Sequence, residues 1–96
     1  MSVYLEIVTS PNCAHSPKAV KLAQKLLKKM HGVNFQEVSM ITQWGMQKAQ
    51  EYGVSATPAI VVNGRIAFVG VPEAGKFKKM IDDEIKKESE QNSYFF

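Results

Sequence analysis

The run AIVVNGRIAFV, residues 59–69, decides the fold. Two β-rich segments, Ala59–Val62 and Arg65–Val69, flank Asn63-Gly64. Asn-Gly between apolar runs is the strongest short hairpin signal, because both residues tolerate the positive φ that a two-residue turn requires. This antiparallel pair has to join whatever sheet the upstream segments build. Val3–Val8 (VYLEIV) reads as a buried strand, stopped by the turn-forming Ser10-Pro11-Asn12. From Ser16 to Met30, apolar residues at 19, 20, 23, 26, 27 and 30 make one helical stripe and leave the lysines outside. Pro17 is tolerated in the first turn, and Gly32 is a natural stop. Val33–Val38 alternates as a second strand. Thr42 can cap a helix running to Tyr52, with Met46, Ala49 and Tyr52 inward, Gly45 weakening it and Gly53 ending it. After the hairpin, a helix from Pro72 or Glu73 to Lys87 buries Phe77, Met80, Ile81 and Ile85. The order is β-α-β-α-β-β-α. The first two strands form a parallel pair through a right-handed crossover, and the hairpin adds antiparallel strands. The expected fold is therefore α/β, a four-stranded mixed sheet with helices packed on it.

Ninety-six residues suffice for one domain, expected over residues 1–88, with 89–96 as a C-terminal tail that ends in Tyr94-Phe95-Phe96. A hydrophobic fraction of 45% argues against a disordered chain. No run of about eighteen apolar residues is present, so no membrane helix is expected. The opening MSVYLEIVTS lacks the basic start of a secretory signal. A single cysteine cannot form an internal disulfide, which fits a reducing compartment, and a cytoplasmic monomer is expected. The net charge of +3 is mild. Lysines cluster at 18, 21, 25, 28 and 29, and again at 76, 78, 79, 86 and 87, the second group interleaved with Asp82, Asp83, Glu84 and Glu88. Both groups read as solvated helix faces. No nucleic-acid motif accompanies them, and neither nucleic acid nor membrane is an expected partner.

The cysteine lies in TSPNCAHSPKAV, Thr9 to Val20, between strand and helix. At the start of a helix, unpaired N–H groups and the dipole stabilise a thiolate, the form that attacks disulfides. Cys13 lies outside any core-like stripe, so a reactive thiol is favoured over a buried inert one. Ser16, one helical turn on, can donate a hydrogen bond to the sulfur or cap the helix, but it cannot attack a mixed disulfide. His15 can favour the thiolate as an imidazolium or face solvent without effect. His31, at the far end of the helix, lies too distant to share a metal with Cys13 and His15, and no metal is expected. Pro58 stands just before an inner strand, where proline is restricted.

Three stretches together resemble the thioredoxin/glutaredoxin superfamily, most closely its small microbial thioredoxins and glutaredoxin-like proteins. They are TSPNCAHSPKAV, AQEYGVSATPAIVVNG and FVGVPEAGKF, and they span about residues 3–87. The resemblance implies a thioredoxin-like fold and a thiol–disulfide oxidoreductase. By position, Cys13 matches the attacking cysteine, Ser16 the resolving one, and Pro58 the family's cis-proline. With His15 tuning the sulfur, these four make up the implied catalytic set. Ala14, Thr57 and Gly70 make up the implied substrate-binding set, Thr57 by pairing its backbone with a bound peptide and Gly70 by allowing ligand or helix to approach. The departure is Ser16. With a serine there, the chain is a monothiol exchange protein or a resolving-cysteine-to-serine variant of a dithiol oxidoreductase. Its mixed disulfide has to be cleared from outside, by a low-molecular-weight thiol or by a protein such as a reductase, and the other partner is a disulfide-containing protein. No resident cofactor is implied. Glutathione fits poorly, because LEIVTSPN has no lysine before Cys13 and the later turn reads GVPE. Two alternatives stand beside exchange: an iron–sulfur cluster carrier like the monothiol glutaredoxins, and a redox-inactive peptide-binding module. Trp44 is expected to pack partly buried on the sheet edge.

Overall fold

The computed structural model describes residues 3–93, with side chains described through residue 88. Its elements are β1 (Val3–Thr9), α1 (Ser16–Leu27), β2 (Val33–Ser39), α2 (Gln43–Tyr52), β3 (Ala59–Val62), β4 (Arg65–Val69) and α3 (Ala74–Ser93). The sheet runs in the order β2-β1-β3-β4. β1 pairs parallel with β2 and antiparallel with β3, which pairs antiparallel with β4. The hairpin expectation holds to the residue, with Asn63 at φ 48° and Gly64 at φ 86°.

Side chains of β1 alternate between two cores, because neighbours along a strand face opposite ways. Leu5 and Ile7 join Ile60, Ala19 and Ala23 of α1, and Phe77 and Ile81 of α3. Val8 joins Val38, Ala59, Val61 and Ala49 of α2 on the other face. The result is three layers, with α1 and α3 on one side of the sheet and α2 on the other. A β-bulge in the last pair opposes Ile60 to Phe68 but Val61 to Ile66. Across it Phe68 reaches the first core, where its ring meets Phe77 edge to face at 6.1 Å.

Several boundaries differ from the sequence expectation. α1 ends at Leu27 rather than Met30, and the Met30 N–H bonds back to the Leu27 carbonyl. Gly32, at φ 79°, makes the turn into β2, and its carbonyl accepts from the Val3 N–H at 2.8 Å. α3 begins at Ala74 and runs to Ser93, so the chain stays helical past the expected boundary at 88. Tyr94, Phe95 and Phe96 lie outside the described residues.

α2 carries the clearest corrections. Met46 is 50% exposed, against the expectation that it faces inward, whereas Trp44, expected partly buried on the sheet edge, is 46% exposed. Gly45 takes the inward place instead. A Cβ on Gly45 would fall 1.8 Å from the Ser39 carbonyl oxygen. That close approach lets the Thr42 hydroxyl donate to the Ser39 carbonyl at 2.8 Å and accept from the Gly45 N–H at 2.9 Å. Glycine here is a packing requirement that outweighs its poor helix propensity. Gly45→Ala would gain about 1 kcal/mol of propensity. Overpacking against a backbone atom costs about 1–3 kcal/mol and usually more than the gain. The variant is expected to unfold at a lower urea midpoint than the parent, and an equal or higher midpoint would contradict this account.

Candidate active site

β1 ends at Thr9, and the loop from Ser10 to His15 turns the chain into α1. The Cys13 N–H bonds the Ser10 carbonyl at 3.2 Å, and the Ser16 N–H bonds the Cys13 carbonyl at 3.3 Å. Cys13 is thus fixed two residues before the helix cap, which is His15. The thiol is partly exposed.

Across from it, the Thr57–Pro58 peptide bond is cis and Pro58 is fully buried. The Cys13 Sγ lies 3.3 Å from the Thr57 carbonyl, to which the protonated thiol can donate. Two segments 44 residues apart in sequence are thereby brought into contact at the sulfur. Gly70 anchors this loop from the far side, its N–H donating to the Pro58 carbonyl at 2.7 Å. Its φ of 90° favours glycine, whereas the space where a Cβ would stand is open. The glycine therefore serves the backbone turn, not the approach of a helix.

Ser16 is 3% exposed, and its side chain does not cap α1. Its Oγ accepts from the Ser10 N–H at 3.4 Å, which leaves the hydroxyl proton for the sulfur. The Cys13 pKa falls from the ordinary 9.0 to about 7, first because of the Ser16 hydroxyl and next because of the Thr57 side chain. Burial pushes the other way, and the backbone N–H groups of His15 and Ser16 add smaller lowering contributions. The main cause is therefore side-chain hydrogen bonding, with the helix end second to it. His15 is exposed, and its backbone N–H is among the groups that lower the Cys13 pKa. Ala14 is exposed on the turn, outside the lining of the grooves beside the thiol.

One groove is lined by Cys13 itself, and a second lies along the segment that leads to the cis-proline. One, of about 490 Å³, lies between α1 and the end of β2 and includes Cys13, Ser16, Lys21, Gln24, Glu37 and Ile41. The other, of about 180 Å³, is formed by Ser10, Met40 and Val54–Thr57. Sequence reasoning missed Ser10, Met40, Ile41 and Glu37. They arrive through the β1–β2 pairing, which sets Thr9 opposite Ser39 and brings the start of the second crossover beside the first loop. The apolar Met40-Ile41 just after a strand was the available signal. Among the described residues no group of three or more His, Cys, Asp or Glu side chains gathers as a metal site. No described helix is long and apolar enough to cross a membrane.

A partly exposed thiol of lowered pKa, set against a cis-proline loop and lining a groove, has the features that sulfur exchange requires. Residues 3–82 match a family model described as a thioredoxin domain. The chain is 33% identical over 79 residues to a protein of Archaeoglobus fulgidus named "Probable Thioredoxin", covering 82% of this chain and 86% of that one. It is 35% identical over 86 residues to a thioredoxin of Methanocaldococcus jannaschii, covering 88% and 94%. The oxidised mitochondrial thioredoxin 3 of Saccharomyces cerevisiae has a similar fold, with a TM-score of 0.69 at 19% identity over 85% of this chain and 78% of that one. The chain belongs to the thioredoxin family of thiol–disulfide oxidoreductases. Of the two branches the sequence resembled, these matches support the thioredoxin one.

Proposed function

We propose that this protein performs thiol–disulfide exchange through Cys13 alone, forming a mixed disulfide that an outside thiol resolves. The observation that carries this reading is the Cys13 sulfur, 3.3 Å from the Thr57 carbonyl at the cis-proline, with Ser16 as its neighbour one turn on. The Cys13 thiolate attacks one sulfur of a substrate disulfide. That S–S bond breaks, and the departing sulfur takes a proton from water. Ser16 stabilises the thiolate but has no sulfur with which to open the new bond. An outside thiolate attacks it, expels Cys13 as thiolate and carries the disulfide away.

The groove lined by Cys13 and the one along Val54–Thr57 give room for the chain flanking a substrate disulfide. Among the described residues the Thr57 N–H has no partner, and it can pair with a substrate backbone in the manner of an added strand. His15, Ala14 and Gly70 act through backbone placement. The lone cysteine suits a reducing compartment, the cytosol, where small thiols are abundant.

The test is turnover of a peptide disulfide followed by chromatography. With a small thiol supplied, product should form repeatedly and in proportion to that thiol. Without it, at most one equivalent per Cys13 should appear. Repeated turnover without added thiol would refute the single-sulfur scheme.

A further inference from the structure

Both lysine clusters read as solvated helix faces, but only the second is interleaved with acidic residues, and the fold brings most of those into ion pairs. On α3 three of the five lysines are paired, Lys78 with Asp82 at 2.8 Å, Lys79 with Asp83 at 3.1 Å and Lys87 with Glu84 at 3.6 Å, while Lys76 and Lys86 have no ion-pair partner among the described residues. Arg65 pairs with Glu84 as well. On α1 and the turn that follows, Lys18, Lys21, Lys25, Lys28 and Lys29 are all exposed, and none has an ion-pair partner among the described residues. No acidic residue occurs between Glu6 and Glu37. All nine acidic residues and the other seven basic residues lie elsewhere, so the rest of the chain is slightly acidic and the excess positive charge sits on this segment.

The geometry gathers these five charges. Lys18, Lys21 and Lys25 lie on α1 and Lys28 is its C-cap with helical backbone angles; with that path continued to Lys29, the five occupy about 100° of the helix circumference, opposite the buried Ala19 and Ala23. At 1.5 Å per residue they extend about 17 Å along the axis. The stripe begins at the reactive end. Lys21 lines the same 490 Å³ groove as Cys13 and Ser16, and the acidic side chain in that groove, Glu37, is engaged by the Thr9 hydroxyl at 2.7 Å.

We infer that the α1 lysine stripe is the docking face for the protein that exchanges disulfides with Cys13, and that this partner presents an acidic segment next to its reactive sulfur. The inference rests on the exchange function proposed above. A small acidic thiol would reach only the lysines nearest Cys13. A stripe of about 17 Å matches about five residues of extended chain and therefore a macromolecular partner. Unpaired like charges also raise encounter rates with an opposite charge by 10-fold or more at low salt, and an exchange protein that must meet its partner repeatedly gains from that.

The test uses three synthetic peptide disulfides of equal length, whose cysteine adjoins a run of five glutamates, five glutamines or five lysines. The readout is the rate constant for mixed-disulfide formation at Cys13, followed by intact mass. At low ionic strength the acidic peptide should react about ten times faster than the neutral one, and the basic peptide slower. The ratio should approach one in about 0.5 M salt, where screening lengths fall to a few ångströms. In Lys25→Gln/Lys28→Gln/Lys29→Gln protein the acidic-to-neutral ratio should fall severalfold. Because the ratio is taken within one protein preparation, a folding defect cannot imitate this. Equal rates for acidic and neutral peptides overturn the docking face while leaving exchange intact. No adduct with any peptide overturns exchange and docking together. Salt-resistant equality of the peptides, combined with lysine-dependent binding of a duplex oligonucleotide in a fluorescence titration, would reassign the stripe to nucleic acid.

Discussion

Ser16→Cys is expected to turn this chain into a dithiol reductase that no longer depends on stoichiometric outside thiol for each release step. Position 16 lies one turn from Cys13, tied to it by the N–H to carbonyl bond of 3.3 Å. The first and last residues of such a turn have Cα atoms within about 7 Å of each other, close to the Cα separation that a disulfide spans. Two effects oppose each other in the variant. The new thiol is a weaker donor than the hydroxyl it replaces, so Cys13 loses its main stabilising partner and attacks a few times more slowly at neutral pH. Resolution, however, becomes intramolecular, and well-oriented intramolecular reactions have effective molarities many orders above the millimolar thiol available outside. The second effect wins. Single-turnover release of substrate thiol should rise by at least about 100-fold, with an internal disulfide two mass units lighter as the product. Equal release rates in both proteins would show that position 16 is not placed to resolve the mixed disulfide.

Ser16→Ala isolates the other role of that side chain. The parent thiol should alkylate with iodoacetamide along a pH curve with its midpoint near 7. Removing the hydroxyl, the largest cause of the lowered value, should move the midpoint upward toward the ordinary 9.0. Thr57→Val should move it in the same direction by less, since Thr57 ranks second. Had the helix end been the main cause, neither variant would shift the curve appreciably. Below the parent midpoint, a full return to the ordinary value would cut thiolate about 100-fold. The higher intrinsic nucleophilicity of a more basic sulfur restores about 10-fold, leaving a net loss of up to about 10-fold in rate. The same displacement couples pH to folding. Between pH 9.0 and about 7 the unfolded chain holds the thiol proton and the folded chain releases it. Stability from this group is therefore fully present above pH 9.0 and is lost as pH falls through about 7. Ser16→Ala should flatten that slope.

Which parts of this account were legible in the sequence follows from the range of the interactions involved. Asn63-Gly64 fixes a turn by local backbone preference, and the hairpin appears where expected. Thr42 and Gly53 bound α2 for the same reason, by a side-chain cap at one end and a left-handed residue at the other. Cys13 and Ser16 were conspicuous because exchange chemistry needs a sulfur before a helix and the chain has one cysteine. What was hidden depends on contacts between distant segments. Gly45 looks like a weak helix residue until Ser39 is seen to press against it. Met46 has the spacing of a core residue, but the glycine one position earlier faces the sheet in its place. Ser16 was read as a possible helix cap, whereas its oxygen accepts from Ser10 across the loop. The interleaved acids of the second lysine cluster were visible in the sequence, but that three of its lysines pair with them while none of the first five has a described partner shows only in the fold. The cis state of Thr57–Pro58 entered only through resemblance, because local sequence favours trans for most prolines.

The central claim is that one sulfur takes the substrate and has no internal means of letting it go. Intact mass spectrometry of the protein after reaction with a peptide disulfide tests this most directly. A single adduct of one peptide on Cys13 is expected, persisting in thiol-free buffer and vanishing when a small thiol is added. An adduct that disappears in thiol-free buffer, or one that never forms on a folded protein with its thiol free, would contradict it.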